Sequence, residues 1–452
     1  MGELIKEVQK KKKDQNDLFS LQSSLAHRYK SVREYTETIC TPLKTEDYVI
    51  QSMPDVSPVK WHLAHTSWFF ETFVLKKLLK GYTEYNPLFS YLFNSYYVQA
   101  GPRFQRSERG LLSRPTVEEV YMYRNYVDRN MLRLFEILSD KEFENAAPVI
   151  ELGLNHEQQH QELILTDIKH VFSLNPLNPV YCSRERAKGK ASELNWVSFD
   201  ENMYIIGHSG SSFAFDNEKP SHWQFIESFE LASRLITNGE YMEFIDSGGY
   251  QKAELWLSDG WAMRQKEGWN SPLYWFKDNE SKDSWQIFTL RGVEQINTEE
   301  PVCHISYYEA DAFARWKGCR LAAEYEWEAA SAMAPLNGNF LENSSYHPDI
   351  DQPEIDPVSD KIGSADNSQA QLRQLFGDLW EWTCSSYSPY PHYKTLPGAL
   401  GEYNGKFMSG QMVLRGGSCV TPQSHIRKTY RNFFPPGARW QFSGIRLARD
   451  II

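Results

Sequence analysis

The spacing of apolar residues and the frequency of Gly, Asn, Asp and Pro change between residues 175 and 200. This change predicts a helical first half followed by a loop-rich second half. Upstream, apolar residues recur every three or four positions with few glycines or prolines, as on the buried face of a helix. The pattern predicts four helices, over residues 15–40, 58–80, 116–138 and 147–172. Four helices joined by loops indicate an antiparallel helix bundle.

Downstream, short apolar runs alternate with Gly, Asn, Asp and Pro, which predicts an irregular α+β domain rich in loops. Its clearest helices are Asn238–Ser247, Ser306–Lys317 and Glu324–Met333. A chain of 452 residues exceeds the usual size of one compact core. We therefore predict two domains, residues 1–180 and 195–452, with the linker in residues 175–190.

Two helix starts are visible in the sequence of the first domain. Ser57-Pro58 is a plausible start for the second helix, and Thr116 for the third. Glu119 follows Thr116 by three residues, which is the spacing of a capping box.

Charge, hydropathy and cysteine usage exclude several classes of protein. The formal net charge of −11 argues against non-specific nucleic-acid binding, which needs a basic surface. The sequence has no apolar stretch of membrane-spanning length and no secretory signal, so we expect no membrane association. The six cysteines are scattered without a CxxC pair, which favours a reducing cytoplasm over a disulfide scaffold.

Two histidines four residues apart, His156 and His160, lie in the fourth predicted helix. This spacing places both imidazoles on one helix face, where they can reach one metal ion. A third histidine is available upstream, either His62 or His65. Three histidines with open coordination positions suit iron(II) and also zinc, and the spacing alone does not separate the two metals.

The second half of the sequence carries a set of motifs in a characteristic order. They are Phe215–Pro220, Thr237–Tyr241, Ile305–Ala312, Arg320–Glu328, Gly377–Trp382, Leu414–Ser418 and Gly444–Arg446. With these motifs, residues 195–450 resemble the formylglycine-generating-enzyme-like domain, also called the sulfatase-modifying-factor fold, which is C-type-lectin-like. Its copper-dependent members use two cysteines, and by alignment Thr421 and Ile426 stand at those positions. Formylglycine-type oxidation is therefore not expected, because a copper(I) site needs thiolates.

The first half resembles the DinB-like four-helix bundle, whose members bind a metal through three histidines. The resemblance maps this set onto His65, His156 and His160, and it favours His65 over His62. A DinB-like bundle fused to a formylglycine-generating-enzyme-like domain is similar to the sulfoxide synthases of the ergothioneine pathway. That family implies a non-haem iron(II) enzyme that uses O2 to join the sulfur of a thiol to a histidine ring. The expected substrates are Nα-trimethylhistidine (hercynine), cysteine and O2.

The same resemblance assigns roles to residues of the first half. Gln159 is expected to hydrogen-bond the substrate imidazole, and Glu162 to orient a ligand histidine. Arg103 and Arg106 match a pair that binds the carboxylate of the thiol substrate, for which the planar guanidinium is well suited. The tyrosine pair, Tyr96 and Tyr97, is expected to lie near the iron and to donate a proton.

In the second half, the resemblance places Asn432 and Phe433 near the trimethylammonium group, which an aromatic face can attract. Phe434 stands where relatives that use γ-glutamylcysteine have an acidic residue, so we predict free cysteine as the sulfur donor. Tyr387, Tyr390 and Tyr393 are alternatives for the catalytic tyrosine.

Other functions remain open at this point. Ovothiol-type synthases act on unmethylated histidine and usually carry an extra methyltransferase domain. We expect none here, because the given sequence stops at Ile452, just after the motif Gly444–Arg446. A selenium-transferring relative, a zinc-dependent thiol transferase of the DinB type and a non-enzymatic binding module are further alternatives. The three-histidine set argues against the binding module.

Overall fold

The computed structural model describes residues 2–184, 188–277, 284–351 and 371–451, with side chains from residue 21 onward. The chain divides into two compact units. The first contains Met1–Val171 together with Gly398–Glu402, and the second contains Phe172–Pro397 and Tyr403–Ile452. The domain limits drawn from the sequence stay a prediction.

The first unit is helical. Its helices are α1 (Gly2–Cys40), α2 (Val59–Phe70), α3 (Lys76–Leu78), α4 (Phe89–Phe93), α5 (Val117–Ile137) and α6 (Asp140–Ser173). The four helices predicted from apolar periodicity are confirmed, although α1 begins at Gly2 and not at the predicted residue 15. The predicted capping box of α5 is also confirmed: the Thr116 hydroxyl accepts from the Glu119 amide, and the Glu119 carboxylate accepts from the Thr116 amide.

Helix α6 begins at Asp140, earlier than the predicted residue 147. The backbone amide and the hydroxyl of Ser139 donate to the Glu142 carboxylate at 3.0 and 2.6 Å, which stabilises this earlier start. Pro148 lies inside the helix. A proline normally interrupts a helix because it lacks an N–H, so the sequence pattern understated the length of α6.

Helix α2 continues into α3 through a π-helical turn, Glu71–Leu75. The Glu71 carboxylate is buried there and accepts hydrogen bonds from the hydroxyls of Tyr82 and Tyr123, both at 2.6 Å. These bonds satisfy a buried charge and tie the end of α2 to α5.

The described residues of the second unit form four α-helices and thirteen short strands. The helices are α7 (Asn238–Asp246), α8 (Ser258–Glu267), α9 (Tyr307–Trp316) and α10 (Glu324–Ser331). The strands are β1 (Trp196–Phe199), β2 (Asn202–Ile206), β3 (His222–Ile226), β4 (Phe229–Ala232), β5 (Trp275–Lys277), β6 (Trp285–Thr289), β7 (Gly292–Gln295), β8 (Arg320–Leu321), β9 (Trp380–Ser386), β10 (Met412–Arg415), β11 (Asn432–Phe434), β12 (Ser443–Gly444) and β13 (Leu447–Asp450). Helices α7, α9 and α10 confirm the three helices predicted in this half.

The strands form four small sheets, with strand orders β1-β4-β13-β8, β11-β10-β9-β12, β5-β6-β7 and β2-β3. Neighbouring strands are antiparallel except β9 and β12. The loop-rich α+β architecture predicted from the sequence is thus confirmed.

The motifs that carry the family resemblance form the core of the second unit. Trp380 and Trp382 of β9 are each about 1% exposed, and the carboxylate of Glu381 between them bonds the Arg446 guanidinium. Gly416 and Gly417 have φ values of +100° and +85°, which favour glycine. These motifs therefore build the scaffold of the unit.

A helix that crosses a bilayer needs about 20 mostly apolar residues. None of the helices in the described part of the chain meets this requirement.

Candidate metal centre

Three buried histidines of the helical unit converge on one point. His65 comes from α2, and His156 and His160 come from successive turns of α6. The Nε2 atom of His156 lies 3.1 Å from the Nε2 atoms of both His65 and His160. One ligand atom from each of the three residues lies within 4.8 Å of the others. The structure therefore brings together the three histidines that the sequence predicts as ligands.

Burial keeps these imidazoles neutral at ordinary pH. It lowers the pKa of His156 to about 3, and it lowers the pKa of His65 and of His160 well below the usual value, helped by the neighbouring histidines. A neutral imidazole has the nitrogen lone pair that a metal ligand needs. The three residues thus fit a divalent transition metal in both geometry and protonation.

In His65 and His160, the ring nitrogen that points away from the cluster contacts another group. His65 Nδ1 donates to the backbone carbonyl of Phe93 at 2.6 Å, which leaves its Nε2 to face the cluster. His160 Nδ1 lies 2.8 Å from Nδ1 of His62. His62, the alternative third ligand in the sequence, therefore lies behind His160 in this structure.

Two tryptophans enclose the His65 ring. The ring centroids of Trp61 and His65 are 4.6 Å apart with nearly parallel planes, and those of His65 and Trp68 are 5.4 Å apart. Such stacking limits the rotation of the imidazole and excludes water from its faces. It therefore fixes the orientation of His65.

Helix α6 reaches α2 closely because of Gly153. A Cβ atom at this position would lie 2.6 Å from a ring carbon of Phe70 and 2.8 Å from one of Phe69. No side chain larger than hydrogen fits there without displacing these rings. Gly153 thus permits the approach that brings His65 to His156.

A buried ion-pair network lies beside the cluster. Glu157, next to His156 in sequence, accepts from Arg124 at 2.6 Å, Arg33 at 2.9 Å and the Thr36 hydroxyl at 2.7 Å. Burial favours the neutral acid, but the guanidiniums of Arg124 and Arg33 outweigh it and lower the pKa of Glu157 to about 2. This carboxylate therefore ties α6 to α1 and α5.

The predicted tyrosine pair lies in the helical unit, in the loop after α4. Tyr97 is fully buried, its ring stacks on Tyr96 at 4.6 Å, and its centroid is 5.6 Å from that of Trp68. Since Trp68 stacks on His65, Tyr97 is separated from the cluster by one aromatic side chain. Glu402 accepts from the next two backbone amides, Val98 and Gln99, each at 2.9 Å.

The predicted arginine pair lies at the surface, and a third arginine lies inside. Arg103 and Arg106 are exposed, and Arg106 donates to the carbonyl of Asp55.

Arg109 is buried. Its guanidinium lies 3.3 Å from the centre of the Trp61 ring and donates to the Ser57 hydroxyl at 2.8 Å. Within residues 2–184, 188–277, 284–351 and 371–451, no carboxylate lies within ion-pair distance of Arg109, and its Nε atom is buried without a hydrogen-bond acceptor.

The environment of Arg109 favours an anion. Burial, and then the positive charge of Arg106, lowers the pKa of Arg109 below its ordinary value, and the Asp167 carboxylate offsets this only in part. Arg109 was not predicted from the sequence, although it continues the three-residue spacing of Arg103 and Arg106.

Gln159 and Glu162 are both half-buried on α6. Gln159 immediately precedes His160, as the sequence requires. The Asp167 carboxylate contacts His62, the residue behind His160: its Oδ2 atom lies 3.1 Å from His62 Nε2. The role predicted for Glu162 stays a prediction.

The other predicted substrate residues form strand β11 of the second unit, and all three are half-buried. Phe433 stacks on Tyr387 at 4.1 Å with nearly parallel rings, and Phe434 meets Trp440 edge-on at 5.7 Å. The Asn432 side-chain oxygen accepts from the Phe433 amide at 2.9 Å. One face of Phe433 is therefore already covered by a ring.

The alternative tyrosines of this unit have partners. The Tyr387 hydroxyl accepts from the Asn217 amide at 2.9 Å, Tyr393 donates to Asp216 at 2.9 Å, and the Arg431 guanidinium lies 4.0 Å from the centre of the Tyr390 ring. Burial raises the pKa of all three phenols. These contacts do not decide between the two sets of tyrosines, and the catalytic tyrosine stays a prediction.

Both halves of the chain match known protein families. Residues 197–451 match the sulfatase-modifying factor enzyme 1-like domain, and residues 28–164 match the DinB superfamily. The first match covers more than half of the chain.

Curated proteins are similar to this chain over much of its length. The chain is 30% identical over 315 residues to a hercynine oxygenase of Mycobacterium tuberculosis, which covers 67% of this chain and 72% of that protein. It is 32% identical over 317 residues to a hercynine oxygenase of Mycolicibacterium smegmatis, covering 66% and 71%. It is also 26% identical over 249 residues to ergothioneine biosynthesis protein 1 of Schizosaccharomyces pombe, covering 53% of this chain and 28% of that protein. The chain therefore belongs to the hercynine oxygenase family, the sulfoxide synthases of ergothioneine biosynthesis.

Proposed function

We propose that this enzyme uses iron(II) and O2 to join the sulfur of cysteine to the imidazole ring of hercynine, giving hercynylcysteine sulfoxide. The observation that carries the proposal is the buried, neutral cluster of His65, His156 and His160 in a chain of this family. Iron(II) held by three imidazoles keeps open coordination positions and supplies the redox chemistry that O2 needs. The scattered cysteines of the sequence fit work in a reducing cytoplasm.

The chain's own residues would bind and orient the two organic substrates. Gln159, beside His160, would hydrogen-bond the hercynine imidazole. Asn432 and Phe433 would meet its trimethylammonium group, for which an aromatic face is attractive. Tyr96 or Tyr97 would hold and deliver the proton that the reaction requires.

We propose that the thiol substrate's carboxylate is bound by the arginines of residues 103–109, with Arg109 contributing most. A buried guanidinium with no carboxylate partner in the described residues is stabilised by an incoming anion, whereas exposed Arg103 and Arg106 are already solvated. Arg109→Met should raise KM for cysteine about ten- to a hundredfold, because a hydrogen bond to a charged group contributes roughly 1.5–3 kcal/mol. Steady-state kinetics would measure this.

Arg103→Met and Arg106→Met are the matched controls at the two positions nominated by the sequence. Arg109→Lys keeps the charge but loses the bidentate fork, so it should fall between wild type and Arg109→Met. An unchanged KM in Arg109→Met, with a raised KM in either control, would show that Arg103 or Arg106 binds the carboxylate of the thiol substrate and that Arg109 does not.

The sulfur donor is predicted to be free cysteine because of Phe434. An apolar ring leaves the amino group of a γ-glutamyl arm without a partner, and an unpaired charge is costly to bury. We expect a higher kcat/KM for cysteine than for γ-glutamylcysteine, and Phe434→Asp should narrow this ratio by about tenfold or more, the effect of one hydrogen bond to a charged group. Phe434→Asn is the uncharged control. A wild-type preference for γ-glutamylcysteine would contradict both the donor and the role of Phe434.

The function as a whole is tested by reconstituting the purified protein with iron(II) under anaerobic conditions. Oxygen is then added with hercynine or histidine, and with cysteine or γ-glutamylcysteine, and the products are identified by mass spectrometry. Hercynylcysteine sulfoxide is the expected product. Exclusive use of histidine would indicate an ovothiol-type synthase, and exclusive use of a selenium donor would indicate selenium transfer. Activity with zinc and no oxygen would indicate a DinB-type thiol transferase.

A further inference from the structure

Two buried residues that do not face the metal site form a chain of contacts behind it. His62 and Asp167 are 2% and 3% exposed. His62 Nε2 lies 3.1 Å from Asp167 Oδ2, and His62 Nδ1 lies 2.8 Å from His160 Nδ1. Asp167 Oδ2 also accepts from the backbone amide of Ser57 at 2.8 Å, which anchors the carboxylate at the start of α2. The contacts thus run from the Asp167 carboxylate through His62 to His160.

Hydrogen-bond chemistry decides which atoms carry the protons. An ionised carboxylate only accepts, so the proton between Asp167 and His62 belongs to His62 Nε2. A neutral imidazole carries one N–H, so His62 Nδ1 then has a lone pair and accepts. The proton between the two rings therefore belongs to His160 Nδ1. A neutral His160 protonated at Nδ1 has its lone pair on Nε2, the atom that faces His65 and His156.

We infer that His62 and Asp167 are positioning residues that hold His160 in the one tautomer able to bind the metal. The inference rests on the proposed metal centre. In the opposite tautomer His160 would carry a proton on Nε2 and could not act as a ligand there. The contacts of the outer residues fix both the tautomer and the orientation of the ring.

The ligand His65 is held by a simpler device. Its Nδ1 donates to the carbonyl of Phe93, and a carbonyl oxygen can only accept. By itself, His62 Nδ1 would not fix the tautomer of His160, because an imidazole nitrogen can either donate or accept. Asp167 removes the ambiguity by accepting the hydrogen bond that His62 Nε2 donates, which leaves His62 Nδ1 as an acceptor. This explains why a second buried polar residue accompanies His62.

Cobalt(II) is a suitable probe because it reports both affinity and ligand set without catalysis. The full-length apo protein is titrated anaerobically with cobalt(II), and the visible spectrum is recorded for wild type, His62→Leu, His62→Asn and His27→Asn. His27 is the control, because it is an exposed histidine of α1 in the same helical unit. We expect His62→Leu to weaken cobalt binding about 10- to 100-fold, the usual effect of losing a partner behind a ligand.

The pattern across the variants separates positioning from ligation and from misfolding. The cobalt spectrum of His62→Leu at saturation should match wild type, since all three ligands remain. His62→Asn places an amide oxygen near the former Nδ1 position and should recover most of the affinity. His27→Asn should bind cobalt as wild type does. Circular dichroism of each apo protein checks that the helices are retained.

Asp167→Ala tests the outer residue. If it acts through His62, the double variant His62→Leu/Asp167→Ala should bind cobalt no more weakly than His62→Leu alone. Wild-type affinity in His62→Leu, additive losses in the double variant or a two-ligand spectrum in His62→Leu would each overturn the inference. Failure of the wild-type protein to bind cobalt would instead overturn the metal centre itself.

Discussion

Replacing any one of His65, His156 and His160 by alanine should abolish the proposed sulfoxide synthase activity. Each residue supplies one of three converging nitrogens, so its loss leaves two ligands and a buried void. Residues behind a ligand typically contribute 10–100-fold to metal affinity, and we expect the loss of a ligand to exceed about 100-fold. Iron content by elemental analysis and product formation by mass spectrometry would measure the effect.

His27→Ala is the control for this series, because His27 is an exposed histidine of the same helical unit. It should retain the iron and the activity of the wild type. Full iron occupancy in His65→Ala, combined with loss of iron in His62→Ala, would show that the third ligand is His62 and not His65.

Glu157→Gln should destabilise the protein by about 3–5 kcal/mol, the usual cost of removing one partner from a buried ion pair. The variant puts a neutral amide between the buried guanidiniums of Arg33 and Arg124, whose remaining carboxylate partners, Asp128 at 2.7 Å and Glu37 at 3.0 Å, are partly exposed to solvent. Urea or thermal unfolding of the metal-free protein would measure the change, so that loss of metal binding does not contribute.

A second glutamate on α6 provides the matched comparison. Glu151 pairs with Arg28 at 3.0 Å, but the two side chains are 34% and 31% exposed. Glu151→Gln should therefore change the stability by less than about 1 kcal/mol. Equal effects of the two substitutions would show that the buried network does not stabilise the bundle as its geometry implies.

Local sequence patterns were sufficient to predict the helices and two of the three proposed ligands. The four-residue spacing of His156 and His160 places them on one face of any helix, whatever surrounds it. The capping pair Thr116 and Glu119 is similarly local, and the structure confirms it. The third ligand needed the family resemblance, because His62 and His65 both lie on α2 and spacing alone does not choose between them.

Residues whose roles depend on distant partners were missed. Asp167 matters because α6 brings it to His62, 105 positions away in sequence. Arg109 differs from Arg103 and Arg106 only in burial, which depends on how its loop packs against Trp61. The start of α6 was misjudged because Pro148 is a local signal that the surrounding helix overrides.

The segment Gly398–Glu402 has a consequence for how the protein is made. The Glu402 carboxylate bonds the amides directly after Tyr96-Tyr97, and Glu402 lies 303 residues beyond Gln99. At a synthesis rate of about 5–20 residues per second, the ribosome needs roughly 15–60 s to reach Glu402 after making that loop. During this interval the nascent helical bundle can form its core, but the loop that carries both tyrosines lacks its anchor. A fragment ending at residue 171 would remain in that state permanently.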